Sequence, residues 1–350
     1  MRLHGGNIYD LADHASVIDF SSNINPFGPP DYALRAAGDS LALIKKYPDT
    51  DETEIRRAFA EWLGKIPDAF VFGNGASEMI RAVMESVRPG RVLIPAPTFS
   101  EYAESARLLG IEVVEIPSDA EKQFAFDVER IVKIFARHDL LIICQPNNPT
   151  GISWTEGELD VLLDLCRERG GYMMADECFL NLTYPQAPSC LRAVGDKNII
   201  VLRAITKDFA APGLRVGFTV SHPDMARVIR SHIQPWPLNC VGEAYAIACA
   251  RRPEPFLSES ARHISFLRED MLRKLRGMGY WVCPSDVNFI LARSGAESSD
   301  EIYSRLLKSS ILIRRCSNFS NMDGRFFRLA VRPEDEQEKL FSELAMIGDR

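Results

Sequence analysis

From about residue 70 to residue 220 the chain alternates short apolar runs with longer stretches of helical periodicity. The runs RVLIPAP (91–97), IEVVEIP (111–117), LLIICQP (140–146), GYMMADE (171–177), NIIVLRA (198–204) and LRVGFTV (214–220) have strand length. Several are apolar on both faces, as in a mainly parallel sheet with helices on each side. Between them, SEMIRAVMESVR (77–88), FSEYAESARLLG (99–110) and TEGELDVLLDLCRERG (155–170) read as helices. The third opens on Thr155 with Glu158 three residues on, a capping-box signature. The alternation predicts an α/β layer architecture.

After about residue 240 the texture changes. A long charged helical stretch (254–279) leads into the strand-like runs VNFILAR (287–293), ILIRRC (311–316) and RFFRLAVR (325–332), then an acidic-basic terminal helix. This predicts a smaller α+β domain. Residues 1–30 are rich in Gly, Asn, Ser and Pro and look mostly irregular. The expected division is an arm over 1–30, a large domain over 31–240 and a small domain over 241–350.

Composition narrows the function. The 350 residues are 46% hydrophobic, ample for a core. A net charge of −7 argues against a nucleic-acid or anionic-membrane surface. No apolar run nears the ~18–20 residues of a membrane span, and the opening MRLHGGNIYD lacks a signal-peptide core, so a cytoplasmic address is expected. The eight cysteines are scattered and never form CxxC, and the six histidines form no HxxxH pair. Reduced thiols and no metal are the expectation.

Several turns fall where strands end, the place where α/β sheets bind ligands. FGNGASEMI (72–80) is a Gly-rich turn opening a helix, suited to a phosphate, with Ser77 able to cap the helix as well. An ordinary capped turn would read the same way. CQPNNPTG (144–151) puts Asn148 in a turn after a buried strand. MADECF (174–179) ends another strand in two acids. Asp176 could face a protonated ring nitrogen or form a salt bridge to an arginine, since an isolated buried charge is costly. PAPTFSEY (95–102) places Phe99 to stack on a flat ligand or to pack in the core. AITKDFAAPGLRVGF (204–218) sets Lys207 after a strand and Arg215 beyond a Pro-Gly break.

In this order the turns resemble the fold type I pyridoxal-phosphate enzymes, the aspartate-aminotransferase superfamily, from roughly residue 20 to the end. The resemblance implies a large domain with a mainly parallel seven-stranded sheet sandwiched by helices, a smaller α+β domain, and pyridoxal 5'-phosphate as cofactor. It implies Lys207 as the Schiff-base lysine and Asp176 as partner of the pyridine nitrogen. Asn148 would bond the ring's phenolic oxygen and Phe99 would stack on the ring. Gly75, Ala76, Ser77, Thr206 and Arg215 would hold the cofactor phosphate. Tyr47 would reach the phosphate of a neighbouring subunit in a homodimer, and Arg328 would grip the substrate carboxylate. Two positions depart from the pattern. Ala204 stands where Ser or Thr is common, and Phe179 stands where a cofactor-bonding tyrosine is found.

HGGNIYD (4–10), IDFSSNINPFGPP (18–30), DECF and LIRRCSNFSNMDGRFFRLAVR (312–332) are similar to the threonine-phosphate decarboxylases of cobalamin biosynthesis. That similarity implies a small phosphorylated amino acid as substrate, with His4, Gly5, Asn25, Asn148, Arg314 and Arg328 around it, and Arg315 and Arg332 as further candidates. A histidinol-phosphate-type aminotransferase, a phosphoserine decarboxylase and a non-catalytic protein on the same scaffold are the competing readings.

Overall fold

The computed structural model describes residues 5–10 and 16–348. A short strand β1 (Ile18–Asp19) precedes seven strands of one sheet: β2 (Phe70–Asn74), β3 (Arg91–Ala96), β4 (Glu112–Pro117), β5 (Leu140–Cys144), β6 (Tyr172–Asp176), β7 (Ile199–Ala204) and β8 (Val216–Ser221). Their order across the sheet is β2-β8-β7-β6-β5-β3-β4. β8 is antiparallel to both neighbours and the other pairings are parallel. The carboxyl ends of β2, β3, β5, β6 and β7 therefore open on one edge, together with the start of β8.

The apolar runs become strands because both faces are buried. On one face lie Phe59, Phe72, Trp154, Met173, Val201 and Phe218. On the other lie Met79, Val83, Tyr102, Ile142, Met174 and Leu202. Adjacent residues such as Met173 and Met174 go to opposite layers, the period of two that a strand imposes. Each large side chain so buried contributes about 1.5–3 kcal/mol before entropy is counted. β2 was not among the sequence-derived strands; its run is short and merges into the Gly-rich turn. The capping box forms as expected, with Thr155 Oγ1 accepting from Glu158 N–H and the Glu158 carboxylate accepting from Thr155 N–H.

The C-terminal part builds a second sheet of β9 (Trp281–Val282), β10 (Phe289–Arg293), β12 (Arg314–Arg315) and β13 (Phe326–Ala330), in the order β12-β13-β10-β9. The run ILIRRC is split. β11 (Ile311–Leu312) leaves that sheet and pairs in parallel with β1. Phe20 N–H donates to Leu312 O and Phe20 O accepts from Ala330 N–H, so the start of the chain is stitched to the C-terminal part. Phe20 shares a core there with Ile264, Met271, Phe289, Phe327 and Leu340.

Two successive helices link the two cores. The helix Cys240–Arg251 sends Tyr245, Ala246 and Cys249 into the core of the large sheet. The next helix, Phe256–Gly277, places Leu257 in that core and Ile264, Met271 and Leu275 in the C-terminal one. All eight cysteines are free thiols and seven are buried. Among the described residues no helix is long and apolar enough to cross a membrane.

Candidate active site

A cavity of about 240 Å³ lies at the sheet edge where the parallel strands end. Ala76, Ser77, Phe99, Asn148, Asp176, Phe179, Thr206, Lys207, Arg215, Arg314 and Arg328 all line it, with Gly5 from the start of the chain. Apart from Gly5, these residues meet because each follows, ends or begins a strand at that edge, or lies on the C-terminal sheet facing it.

Asp176 ends β6 beside Cys144, the last residue of β5. Its carboxylate is buried, and Oδ1 accepts from Cys178 N–H (3.0 Å) while Oδ2 accepts from Tyr102 Oη–H (2.6 Å). Burial pushes its pKa up, against the pull of the Cys178 and Tyr102 hydrogen bonds. Among the described residues it has no salt bridge. The arginine goes to its neighbour instead, since Arg203 Nη2 pairs with Glu177 at 2.7 Å. A buried carboxylate facing a cavity without a cation is a site that calls for one.

Lys207 sits in the four-residue helix Ile205–Asp208 that follows β7. Its amine is held down to about 8, first by burial and then by the charges of Arg328 and Arg215. Nζ stands 6.0 Å from the centre of the Phe179 ring. Ala204 is buried in the sheet core, so Thr206 on the cavity wall supplies the hydroxyl of this turn.

Gly75 is the residue before the helix Ala76–Val87 and has φ +83°, a conformation that side-chain-bearing residues rarely adopt. A Cβ there would fall 2.2 Å from Arg215 Nη2, so the guanidinium lies directly over the glycine and the helix N-terminus. Ser77 faces the cavity but does not cap. Gly75 occupies the cap position, and among the described residues no side-chain cap bond is made to this helix end. The expected double role of Ser77 is therefore reduced to one. The donors left open at this end, with Arg215, make an anion cradle.

The far wall is built by the C-terminal sheet and the start of the chain. Arg328 on β13 is buried and, among the described residues, makes no salt bridge; burial lowers its guanidinium to about 10, and it stays charged at neutral pH. Nη1 donates to Asn148 Oδ1 and Nη2 to Ser21 O (2.7 Å), while Nε has no partner. Arg314 stacks over Phe319 at 5.2 Å and donates to Asn318 Oδ1 at 2.7 Å. Arg315 and Arg332, the further candidates, turn away to Asp300 and Glu336.

Two expected residues stand elsewhere. Asn25 does not line the cavity; its amide donates to Asp208 O and Ser260 Oγ, so it has no hydrogen left for a ligand. Asn23, two residues earlier, does line it, and both its amide atoms are buried without partners. Tyr47 is 79% exposed and stacks on Trp236 at 4.5 Å, outside its own chain's cavity. His4 lies outside the described residues. Tyr102 and Phe319 were missed. Tyr102 follows Phe99 by three positions, which puts both rings on one side of the helix start, 5.6 Å apart and edge to face.

A sheet in which lysine, carboxylate and anion cradle share one edge defines the fold type I pyridoxal-phosphate enzymes. The chain belongs to the aminotransferase class I and II family, whose profile matches residues 15–344. It is 32% identical over 357 residues to threonine-phosphate decarboxylase of Salmonella typhimurium, covering 97% of this chain and 95% of that one. It superposes on the histidinol-phosphate aminotransferase of Clostridium acetobutylicum with a TM-score of 0.88 and 30% identity, over 94% of this chain and 98% of that one. L-threonine-O-3-phosphate decarboxylase of Porphyromonas gingivalis shares the fold, with a TM-score of 0.85 and 23% identity over 95% and 99% of the two chains.

Proposed function

We propose that this protein decarboxylates L-threonine O-3-phosphate to (R)-1-amino-2-propanol phosphate and CO2, the aminopropanol step of cobalamin biosynthesis. The cofactor is pyridoxal 5'-phosphate, and the residues present fit it. The glycine-floored cradle of Gly75, Ala76, Ser77, Thr206 and Arg215 suits its phosphate. Asp176, a buried carboxylate lacking a cation, suits its protonated ring nitrogen, with Asn148 for the phenolic oxygen and Phe99 for the ring face. Lys207, an amine lowered toward neutrality, suits its aldehyde. When bound, the cofactor supplies a carbonyl that takes an amine and a ring that accepts the electron pair of a bond broken at Cα.

The observation that carries the substrate reading is the second anionic site. Arg314, Arg328 and the partnerless Asn23 stand across the cavity from the cradle. A substrate bearing both a carboxylate and a phosphate uses more of these donors than a singly charged one. Arg328 binds and orients, holding one anionic group beside Asn148. Gly5 packs against Ser21 on the same wall. The Cα–carboxylate bond breaks, CO2 leaves, and one proton arrives at Cα; Lys207 Nζ is the group placed to deliver it. Tyr102 keeps the Asp176 carboxylate turned toward the cavity.

A homodimer completes the site in this reading. Ile44, Tyr47 and Trp236 are exposed on one chain at 72%, 79% and 44%. Such exposed apolar surface suits a subunit contact through which Tyr47 reaches the neighbouring phosphate cradle. The division into an arm over 1–30, a large cofactor-binding domain and a small domain is a proposal, with the boundary moved from residue 240 to after Arg251 because the helix Cys240–Arg251 packs in the core of the large sheet.

The test is incubation of cofactor-loaded protein with L-threonine O-3-phosphate, measuring CO2 and aminopropanol phosphate. Transamination of histidinol phosphate with 2-oxoglutarate, without CO2 release, would replace this reading by the aminotransferase one, which the 30% identity to the Clostridium enzyme supports.

A further inference from the structure

Three consecutive carbonyls of the lysine turn are held from outside it. Asn25 N–H donates to Lys207 O at 2.9 Å, Asn25 Nδ2 donates to Asp208 O at 2.8 Å, and Tyr245 Oη–H donates to Phe209 O at 2.6 Å. A helix of four residues leaves its last carbonyls to be satisfied by other groups, so these outside donors decide where the turn sits. The second Asn25 amide hydrogen goes to Ser260 Oγ (3.0 Å) on the helix Phe256–Gly277, and Oδ1 accepts from Phe27 N–H (3.1 Å). Asn25 is 2% exposed, and both its hydrogens and its carbonyl oxygen are engaged.

The same stretch of chain is fixed a second time, four residues earlier. Arg328 Nη2 donates to Ser21 O at 2.7 Å, and Ser21, Ser22 and Asn23 form part of the cavity wall. Gly5 is packed so closely on this stretch that a Cβ would fall 2.1 Å from Ser21 O. One short segment thus holds Arg328 at Ser21 and the lysine turn at Asn25.

We propose that Asn25 is a positioning residue: it sets the separation between the Lys207 amine and the wall of the cavity that carries Arg328 and Asn23. The proposal rests on the reading of Lys207 as the cofactor-bearing amine. Because the amine works on a substrate held by that wall, a misplacement of about 1 Å is enough to cost about a hundredfold in rate.

The readout is the visible absorption band of the pyridoxal-phosphate-loaded protein and its pH titration, which reports the charges near the lysine nitrogen. The charged and titratable groups acting on that nitrogen include Arg328, Arg215, Cys178 and Asp19, and Arg328 is the foremost of them. In Asn25→Ala the turn relaxes away from Arg328. The expected result is an upward shift of the titration midpoint by about 0.5 pH unit or more, with kcat down about tenfold and KM within about threefold. Ser260→Ala removes one partner of the same amide and is expected to shift the midpoint less, in the same direction. Tyr32→Phe removes a side-chain-to-backbone bond away from the lysine turn, to Arg252 O at 2.5 Å, and is expected to leave the midpoint unmoved. The proposal is overturned if Asn25→Ala and Ser260→Ala both leave the midpoint within about 0.1 unit and kcat within about twofold. If Asn25→Ala does not fold, Ser260→Ala decides by the same criterion. A wild-type protein that gives no band with the cofactor overturns the reading of Lys207 itself, and this inference with it.

Discussion

Asp176 and Glu177 are adjacent acids with opposite fates, and the difference lies in their partners. Glu177 takes Arg203, Ser189 and a backbone amide, all in the protein interior. Asp176 is left with two neutral donors and an open side. Removing one donor in Tyr102→Phe strands a buried carboxylate oxygen, at a cost of about 1–3 kcal/mol. The expected outcome is turnover at least about tenfold slower and weaker cofactor binding, read by spectroscopic titration. Lys207 gives a second test. Its neutral fraction increases as pH rises toward about 8 and saturates above it. Capture of the cofactor by the cofactor-free protein is thus expected to accelerate roughly tenfold per pH unit below that value and then level off. Arg328→Gln removes a positive neighbour and is expected to move the plateau to higher pH. Lys207, Asp176 and Asn148, which the fold brings to one cavity, could be singled out in the sequence because each sits in a short stretch with a distinctive neighbour. Asn23 could not, because two asparagines two residues apart look alike until the fold shows which one has its hydrogens already bonded.

Elements were legible in proportion to the simplicity of their burial. Strands covered on both faces read as continuous apolar runs. β2 was hidden by its glycine, and ILIRRC concealed a switch from one sheet to another that depends on pairing with residues almost three hundred positions away. Helix starts carry their own tests. Thr155→Ala removes the Oγ1 that satisfies Glu158 N–H and is expected to lower unfolding free energy by about 1 kcal/mol in chemical denaturation, with no effect on turnover. Gly75→Ala acts differently. The added methyl strains a φ of +83° and pushes the Arg215 guanidinium off the helix end. Retention of the cofactor during dialysis is expected to fall at least about tenfold, with a strain cost of about 1–3 kcal/mol.

At the scale of the whole molecule, the α/β layering and the second, smaller sheet followed from the sequence pattern. How the start of the chain joins the C-terminal part did not, since it rests on β1 pairing with β11. The exposed Tyr47 makes the proposed dimer testable without a structure of the assembly. Lys207→Ala and Tyr47→Ala proteins, each expected to be poorly active alone, are refolded together. Half the dimers are then mixed, and one site in each mixed dimer is intact. About a quarter of wild-type activity is expected if Tyr47 serves its neighbour, and no recovery if it serves its own chain.

The single reversed strand, β8, has a consequence for how this site tolerates change. Because β7 and β8 are antiparallel neighbours, Lys207 and Arg215 both lie in the single connection between them, residues 205–215, rather than on either side of a crossover to a parallel strand. Their separation in space is written into their separation along the chain. Lengthening another loop at this edge would leave the Lys207 amine and the Arg215 guanidinium where they are. Adding or deleting a residue between them would not, because both are carried by the same short connection.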